Sequence, residues 1–425
     1  MNILVIGGGG REHAIIKKLR EDPRAERIFA LPGNGGIAAD AECAGVSATD
    51  IPGILAFARA NAVDFAVVAP DDPLVLGAVD ALEEAGIPCF GPRKNAAIIE
   101  GSKVFSKNLM EKYHIPTAAC RIFDAPGEAL AYVDECPLPA VVKADGLALG
   151  KGVLICETRE SAREAVRSIM EDRIFGESGA RVVIEEFLTG PEVSVLAFTD
   201  GACVKPMVSS MDHKRALDGD RGLNTGGMGT VAPNPCYTEA VAARCMEEIF
   251  LPTIRAMKAE GRPFRGCLYF GLMLTPAGPK VIEYNCRFGD PETQVVLPLL
   301  EGSLLEIMLA VSQGRLEDTP VRFRPGAACC VILASQGYPQ KYDKGFPISL
   351  PETGPDEYIY IAGASERDGQ LLTSGGRVLG AAAVAPDLPG AVERAYALAD
   401  RIHFDNAFCR RDIGQRALAA MKEGQ

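Results

Sequence analysis

The chain opens on a short apolar run, Asn2–Ile6, that breaks into four successive glycines, Gly7 to Gly10. Glycine in a strand or helix interior costs about 0.5–1 kcal/mol relative to alanine, so the run must end there. Glu12–Arg20 follows with helical spacing, Ile15 and Leu19 standing four apart. Arg27–Ala30 and Phe65–Ala69 read as further strands, and Leu74 to Ala85 as a helix. Strands alternating with helices predict a parallel α/β domain over about the first 95 residues. Ligands of such sheets sit beyond the carboxyl ends of the strands. Two loops lie there, Gly7–Arg11 and Pro32–Gly36, both rich in glycine, so backbone N–H groups can approach a phosphate.

The glycine run invites a dinucleotide reading. A GxGxxG fingerprint beginning at Gly7 would need glycine at position 12, where Glu12 stands. A turn serving only tight packing is a second reading. A phosphate-bearing substrate held by backbone N–H groups and the helix dipole is the third, and the broken fingerprint favours it.

Downstream, Gly101–His114 reads as a helix with Lys103 and Lys107 one turn apart. Ala140–Lys143 and Val153–Cys156 read as strands around a glycine-rich turn. Val182–Phe187 and Glu192–Phe198 read as two more, joined by Leu188–Pro191. Ser209–Pro233 lacks periodicity, and a loop that long is usually functional. Leu268–Leu274 and Lys280–Tyr284 form a hairpin pattern. From Gly326 onward, strands near Cys329–Ala334 and Tyr358–Ile361 and a helix near Ala391–His403 suggest a small α+β domain.

Chemistry concentrates in a few segments. In Lys143-Ala144-Asp145-Gly146-Leu147-Ala148-Leu149-Gly150-Lys151-Gly152, two lysines bracket a glycine loop between strands. A mobile loop of this kind can close over a triphosphate while the lysines neutralise it. It is not a Walker loop, because no GKS or GKT occurs and a strand follows. Glu185 and Glu186 end an apolar strand. Alone they could be a solvated edge. Beside the lysine loop they fit an adenosine clamp, with the strand backbone as far as Leu188 pairing with the adenine edge.

Period-two alternation puts Glu283, Asn285 and Arg287 on one face. A carboxylate and an amide oxygen suit magnesium, and an arginine beyond them suits a developing phosphoryl charge. Asp212–Asp220 mixes both charge signs in the unpatterned loop, so it is either a solvated loop or one that positions substrate groups. His13, His114 and His403 are isolated and read as structural, and no Ser-His-Asp order or His/Cys metal cluster is visible.

Net charge is −12, which lacks the basic footprint of a nucleic-acid binder. The 13 cysteines form no CxxC pair and mostly occupy apolar runs, as buried free thiols in a reducing compartment do. No apolar run approaches the ~20 residues that span a bilayer, and the glycine-rich start does not suit a signal peptide. These features predict a cytoplasmic protein without nucleic-acid or membrane partners, acting on small molecules as a monomer or weak dimer.

Taken together, these residues resemble the phosphoribosylamine–glycine ligase family of the ATP-grasp superfamily. The resemblance runs over about residues 1 to 415 and is most specific at Arg287-Phe288-Gly289-Asp290-Pro291-Glu292. It also includes Gly9-Gly10-Arg11-Glu12-His13, Pro32-Gly33-Asn34, Gly101-Ser102-Lys103, Asn224–Gly229, Gly375-Gly376-Arg377-Val378 and Arg411-Asp412-Ile413-Gly414. It implies an α/β and α+β multidomain fold. An N-terminal α/β substrate domain would cover residues 1–100. An ATP-grasp region would cover 101–325, with a nucleotide lid at about 118–190, and a small α+β domain 326–425.

It implies that ATP binds at Lys103, Lys143, Gly150, Lys151, Gly152, Glu185, Glu186 and Leu188. It also implies Mg2+ or Mn2+ on Glu283 and Asn285, and Arg287, Asp212, Lys214 and Arg215 about the reacting centre. Gly9, Arg11, Pro32, Gly33, Asn34, Asp71, Asp290, Pro291 and Glu292 would contact the other substrates. Two departures stand out. Ala69-Pro70-Asp71-Asp72 replaces the usual Gly-Pro-Glu, shortening the acid by one methylene. Cys267–Thr275 carries no acid, so one metal fits better than two. Another ATP-grasp ligase or carboxylase and a nucleotide-binding dehydrogenase are the rival expectations.

Overall fold

The computed structural model describes residues 1–148 and 152–423. The first strand, Asn2–Gly7, is flanked in parallel by Arg27–Pro32 and Phe65–Val68. With Glu42–Cys43 and Cys89–Phe90 at the edges they form a five-stranded sheet in the spatial order third, second, first, fourth, fifth. Strand order reverses between Asn2–Gly7 and Phe65–Val68, so the Gly7–Arg11 and Ala69–Asp72 loops flank the crevice where open α/β sheets bind ligands.

A second sheet is antiparallel, ordered Val204–Pro206, Glu192–Thr199, Gly266–Thr275, Gly278–Asn285. The expected hairpin is its last pair. A third sheet, at the place expected for the lid and called the lid below, is ordered Cys120–Phe123, Val182–Glu186, Ala140–Ala144, Val153–Cys156, with its own apolar core around Val142, Ile169 and Ile184. The last sheet carries Ala327–Ser335 and Arg377–Ala385 at its centre and the helix Leu388–Ala399 against it. Cys329 and Cys330 lie in that central strand. Neighbouring residues of a strand face opposite ways, and these two enter different cores.

The structure refines four of the sequence readings. The helix expected over Leu74–Ala85 is two, Asp71–Leu76 and Ala78–Glu84, because Gly77 adopts φ 98° between them. The helix expected over Gly101–His114 is observed as Lys103–Lys112, with a separate helix, Lys94–Gly101, before it. Lys94–Gly101 ends where Ser102 turns extended, and the Ser102 hydroxyl caps a second helix, Lys103–Lys112, by accepting from Phe105 N–H. Val182–Glu186 and Glu192–Thr199 do not pair with each other. Gly190 lies so close to the Leu274 carbonyl that a β-carbon would come within 2.1 Å of its oxygen, and the chain passes there from lid to central sheet.

The unpatterned Ser209–Pro233 segment holds four short strands. Arg215–Leu217 and Arg221–Asn224 form a projecting hairpin, while Met211–Asp212 and Gly229–Ala232 join the C-terminal sheet. Strands of two to four residues are too short to show a period. Eight of the thirteen cysteines are buried. Among the described residues no helix is long and apolar enough to cross a membrane.

Candidate active site

The lid and the central sheet meet at one buried lysine pair. Lys143 Nζ, on the lid strand Ala140–Ala144, lies 3.0 Å from Glu185 Oε2 and donates to the Ile282 carbonyl of the central sheet at 3.1 Å. Lys107 Nζ lies 3.3 Å from Glu185 Oε1 and donates to Thr117 Oγ1 at 2.8 Å and Ala118 O at 3.1 Å. Burial lowers the Lys107 pKa against the pull of Glu185. Glu185 is therefore an internal counter-ion to two lysines. Glu186 is half turned to solvent, accepting from Ala119 N–H at 3.0 Å and pairing with Lys280 at 2.8 Å. Leu188 is half-buried just beyond.

The base of the glycine loop is tied to the capped helix. Asp145 accepts from the Ser102 hydroxyl at 2.7 Å and from Val104 N–H at 2.9 Å, while its carbonyl accepts from Lys103 N–H at 2.8 Å. Arg181 closes the other side of that carboxylate with a 2.5 Å contact. Lys103 Nζ donates to Gly146 O at 3.1 Å, and burial lowers its pKa. Gly152 re-enters the sheet by accepting from Ala144 N–H at 2.8 Å. Gly150 and Lys151 lie outside the described residues.

Glu283, Asn285 and Arg287 come off the edge strand Gly278–Asn285 and its continuation. Lys214 Nζ stands 3.7 Å from Glu283 Oε1 and 3.2 Å from Glu192 Oε2. Glu192, ahead of burial and Glu283, holds the Lys214 ammonium well above its ordinary range. Burial works against the Glu283 carboxylate, but Lys214, Lys143, Lys103 and Arg287 together keep it below the usual range. Four cations thus converge on one acid. Arg287 lies 3.2 Å from Glu100 Oε1, and Asp71 is near enough to add to the raising of its pKa. Arg287 Nε is buried with no partner.

A second acidic group lies across from these. Burial, then Glu292, raise the Asp212 carboxyl well above its ordinary value. Glu292 is buried beside Ser194, whose hydroxyl also contacts Tyr269 Oη at 2.8 Å. Asp290 meets Arg377 Nη2 at 2.8 Å and Gln294 Nε2 at 2.6 Å. Burial opposes the Asp290 charge, but Arg377 and Arg11 hold its pKa below normal. Arg377 Nη1 also donates to Gly226 O at 2.6 Å and Asp290 O at 2.8 Å. Pro291 packs so close to Gly227 that a β-carbon there would meet it at 2.4 Å.

The Asp212–Asp220 loop is anchored from the C-terminal end of the chain. Buried Arg410 grips Asp412 at 2.7 and 2.8 Å and Asp220 at 3.0 Å, and it donates to Arg215 O at 3.0 Å. His213 is fully buried. Its Nε2 accepts from Gly414 N–H at 3.2 Å, so its Nδ1 carries the proton given to Gly229 O at 3.1 Å. The Arg215 guanidinium turns to Gly222 O at 3.0 Å, within its own hairpin.

The N-terminal loops are more internally bonded than their sequence suggests. Gly9 N–H donates to Glu12 Oε2 at 2.6 Å, filling with a carboxylate the position where a pyrophosphate would approach. Arg11 is 2.5 Å from Glu12 Oε1 and donates to Phe288 O at 3.2 Å. Asn34 spends its amide on Gly8 O and Ile361 O, both at 2.9 Å, and on the N–H groups of Gly36 and Ile37. Between Gly8, Gly33, Gly35 and the facing Ala364–Glu366 segment is an open cleft of about 440 Å3. Gly33 and Asn34 line it, and Pro32 and Gly9 are chain neighbours of its lining residues Gly33 and Gly8. His13 bridges Asp40 (3.0 Å) and Ile361 N–H (2.8 Å), a structural role.

Sequence reasoning left three residues out of the site: Lys107, Glu100 and Arg377. Lys107 carried a signal in its one-turn spacing from Lys103. Glu100 carried none and Arg377 only its place in the Gly375–Val378 run, because each acts on segments more than 80 residues away in the chain.

A lysine-bearing antiparallel lid over a central antiparallel sheet, with Glu283 and Asn285 on the last strand of that sheet, defines an ATP-grasp ligase. The phosphoribosylglycinamide synthetase N, ATP-grasp (A) and C domains match residues 1–100, 101–293 and 328–416 in that order. The chain belongs to the phosphoribosylglycinamide synthetase family. A phosphoribosylamine–glycine ligase of Vibrio vulnificus is 48% identical over 424 residues, 99% of each chain. One from Caldanaerobacter subterraneus is 46% identical over 97% of this chain and 99% of its own. The crystal structure of phosphoribosylamine–glycine ligase from Thermotoga maritima superposes with TM-score 0.86 at 36% identity, covering 97% of this chain and 100% of that one. A biotin carboxylase from Campylobacter jejuni shares the fold alone, with TM-score 0.74 at 15% identity over 96% of this chain and 92% of its own.

Proposed function

We infer that this chain is an ATP-dependent carbon–nitrogen ligase that joins glycine to 5-phosphoribosylamine. The products are glycinamide ribonucleotide, ADP and phosphate, in purine biosynthesis. The observation that carries the reading is the cationic surrounding of Glu283, with Lys214 Nζ 3.7 Å from its Oε1 and Lys103, Lys143 and Arg287 near enough to favour its charge. Such a cluster suits a triphosphate and the phosphoryl group it transfers. Full-length identity to relatives named for this activity supports the substrates.

In this reading Lys103, Lys143 and Lys151 neutralise the ATP phosphates, and Gly150 and Gly152 let the loop approach them. Glu185, Glu186 and Leu188 surround adenosine, Glu185 by orienting the lysines rather than by direct contact. Asp212, Lys214, Arg215 and Arg287 surround the reacting centre. Gly9, Arg11, Pro32, Gly33, Asn34 and Asp71 border the ribose-phosphate amine, with Asp290, Pro291 and Glu292 at the junction.

The donor set fits one divalent cation, Mg2+ or Mn2+. Glu283 is held ionised. Asn285 points its Nδ2 at Glu100 and Tyr284 O in the orientation that satisfies hydrogen bonding, which leaves its oxygen on the other side of the amide. Among the described residues no cluster of three His, Cys, Asp or Glu could hold an ion unaided. Magnesium commonly takes one or two protein ligands and completes its shell with water and phosphate. When bound, the cation would neutralise charge on the transferring phosphate.

Glycine carboxylate is a poor acyl donor. One of its oxygens attacks the terminal phosphorus of ATP, the bond to the bridging oxygen breaks, and ADP leaves. The glycylphosphate carbonyl is then attacked by the amine, and phosphate departs. Arg287, beside the lysines, stabilises charge on the phosphoryl group in flight. The raised Asp212 carboxyl and buried Glu292 form an acidic pocket suited to an ammonium or to the proton the amine gives up.

The domain limits proposed are 1–100, 101–325, with the lid at about 118–190, and 326–425. The setting proposed is the cytoplasm, for a monomer or weak dimer that binds neither nucleic acid nor membrane.

ADP release that requires both glycine and phosphoribosylamine tests the reading. A requirement for bicarbonate or biotin instead would move the chain to the carboxylases. Tight NADH binding by fluorescence would favour a dehydrogenase.

A further inference from the structure

Glu100 ends the helix Lys94–Gly101, three residues before the phosphate lysine Lys103. Its side chain is 6% exposed, and burial pushes its pKa up. It meets three consecutive residues of a segment far along the chain. Oε2 accepts from Cys286 N–H at 2.6 Å. Oε1 accepts from Asn285 Nδ2 at 3.0 Å and lies 3.2 Å from Arg287 Nη2.

Each contact fixes something different. The amide contact decides which way the Asn285 oxygen points. The guanidinium contact holds one edge of Arg287, whose Nε is left buried and free. The backbone contact pins the turn between them. The junction that follows Glu100 also holds the glycine loop, through Ser102, Lys103 and Asp145.

We propose that Glu100 is a positioning residue for phosphoryl transfer, aligning the Asn285 oxygen for the cation and the Arg287 guanidinium for the transferring phosphate from one carboxylate. The proposal rests on the ligase reading for its choice of chemistry. In this role Glu100 works through its neighbours rather than on ATP or a substrate. It acts through two neighbours that are otherwise tied together only by the chain.

The test is Glu100→Gln. Glutamine keeps the size and can still accept from Cys286 N–H with its oxygen, but its amide nitrogen cannot accept from Asn285 or Arg287. Losing charge-assisted hydrogen bonds at a buried site corresponds to about a 10- to 150-fold fall in kcat. The KM for phosphoribosylamine should stay within about twofold, a split that general loosening of the fold would not give. Mn2+ binding in the presence of ADP, followed by water-proton relaxation, should move to higher Mn2+ concentration.

In an Arg287→Met background, Glu100→Gln should cost much less than it does alone, because the effect passes through Arg287. Glu100→Asp retains the charge at shorter reach, guards against misfolding of the first variant, and should show both changes at smaller size. A kcat or a Mn2+·ADP titration that overlays wild type in the folded variants, or full additivity with Arg287→Met, overturns the proposal. Failure of the wild type to release ADP with glycine and phosphoribosylamine instead overturns the ligase reading, and the Mn2+·ADP titration then decides on Glu100 by itself.

Discussion

Lys143 Nζ lies between two sheets, 3.0 Å from Glu185 of the lid and 3.1 Å from the carbonyl of Ile282 in the central sheet. It is thus both a fastener and a candidate phosphate ligand. The two roles separate in experiment. Lys143→Ala should weaken ATP binding by roughly 10- to 150-fold, the equivalent of one hydrogen bond to a charged group. It should also lower stability by about 1–3 kcal/mol, because Glu185 stays buried with Lys107 alone. Titration calorimetry and a thermal melt read the two effects. A folded variant with unchanged ATP affinity would remove Lys143 from the nucleotide site.

Arg377 reaches from the C-terminal sheet to Gly226 O and Asp290 O and pairs with the Asp290 carboxylate. A planar fork serves several acceptors at once, and a single ammonium on a flexible stem does not. Arg377→Lys should therefore free the Gly226–Gly227 turn and Asp290–Pro291. With one or two charge-assisted bonds lost, kcat/KM for glycine should fall about 10- to 100-fold while ATP affinity holds. Initial rates with glycine varied at saturating ATP check this. Equal losses for both substrates would point to general unfolding instead.

His213 gives the fold a pH dependence with a definite sign. Burial, and then Arg416 and Arg410, push its pKa from 6.5 down to about 4, against the smaller pull of Asp220. Below pH 6.5 the unfolded chain binds a proton there that the folded chain refuses. The His213 contribution is therefore full above about pH 6.5 and is lost as pH falls toward 4, by about 3 kcal/mol in all at 1.4 kcal/mol per pH unit. His213→Gln, which cannot titrate, should be less stable at pH 7 yet show a shallower fall in Tm between pH 6.5 and pH 4. Parallel Tm curves for the two proteins would show that His213 is not the titrating group.

The candidate nucleotide site could be proposed from the sequence because its chemistry is local. A phosphate loop needs its lysines and glycines side by side, so Lys143 to Gly152 declares itself, and so does the alternation at Glu283, Asn285 and Arg287. The start of the helix near Ser102 was legible, but the partner that holds its cap, Asp145, lies 43 residues away and was not. Arg11 and Asn34 show the opposite limit. They have the composition of ligands, but much of their hydrogen bonding is turned inward, to Glu12, Phe288 O, Gly8 O and Ile361 O. Glu100 looks like any helical acid until the fold closes on it. Periodicity records which face is buried, and it carries no record of which distant residue a buried charge will meet.

The chemical step can be followed by isotope. In the proposed sequence a carboxylate oxygen of glycine attacks ATP and becomes the bridge of an acyl phosphate. When the amine attacks the carbonyl, that oxygen leaves with the phosphate. Glycine labelled with heavy oxygen in both carboxylate positions should pass one label to inorganic phosphate each turnover and keep the other in the product amide. In the rival order ATP is hydrolysed by water apart from amide formation, so water supplies the fourth oxygen of phosphate and the carboxylate oxygen lost on condensation leaves as water. The convergence of Lys103, Lys143, Lys214 and Arg287 on Glu283 favours the first order, because the cations are gathered where a phosphoryl group would pass to a carboxylate. Mass spectrometry of the released phosphate decides. Unlabelled phosphate alongside normal product would remove both the acyl phosphate and the role given to Arg287.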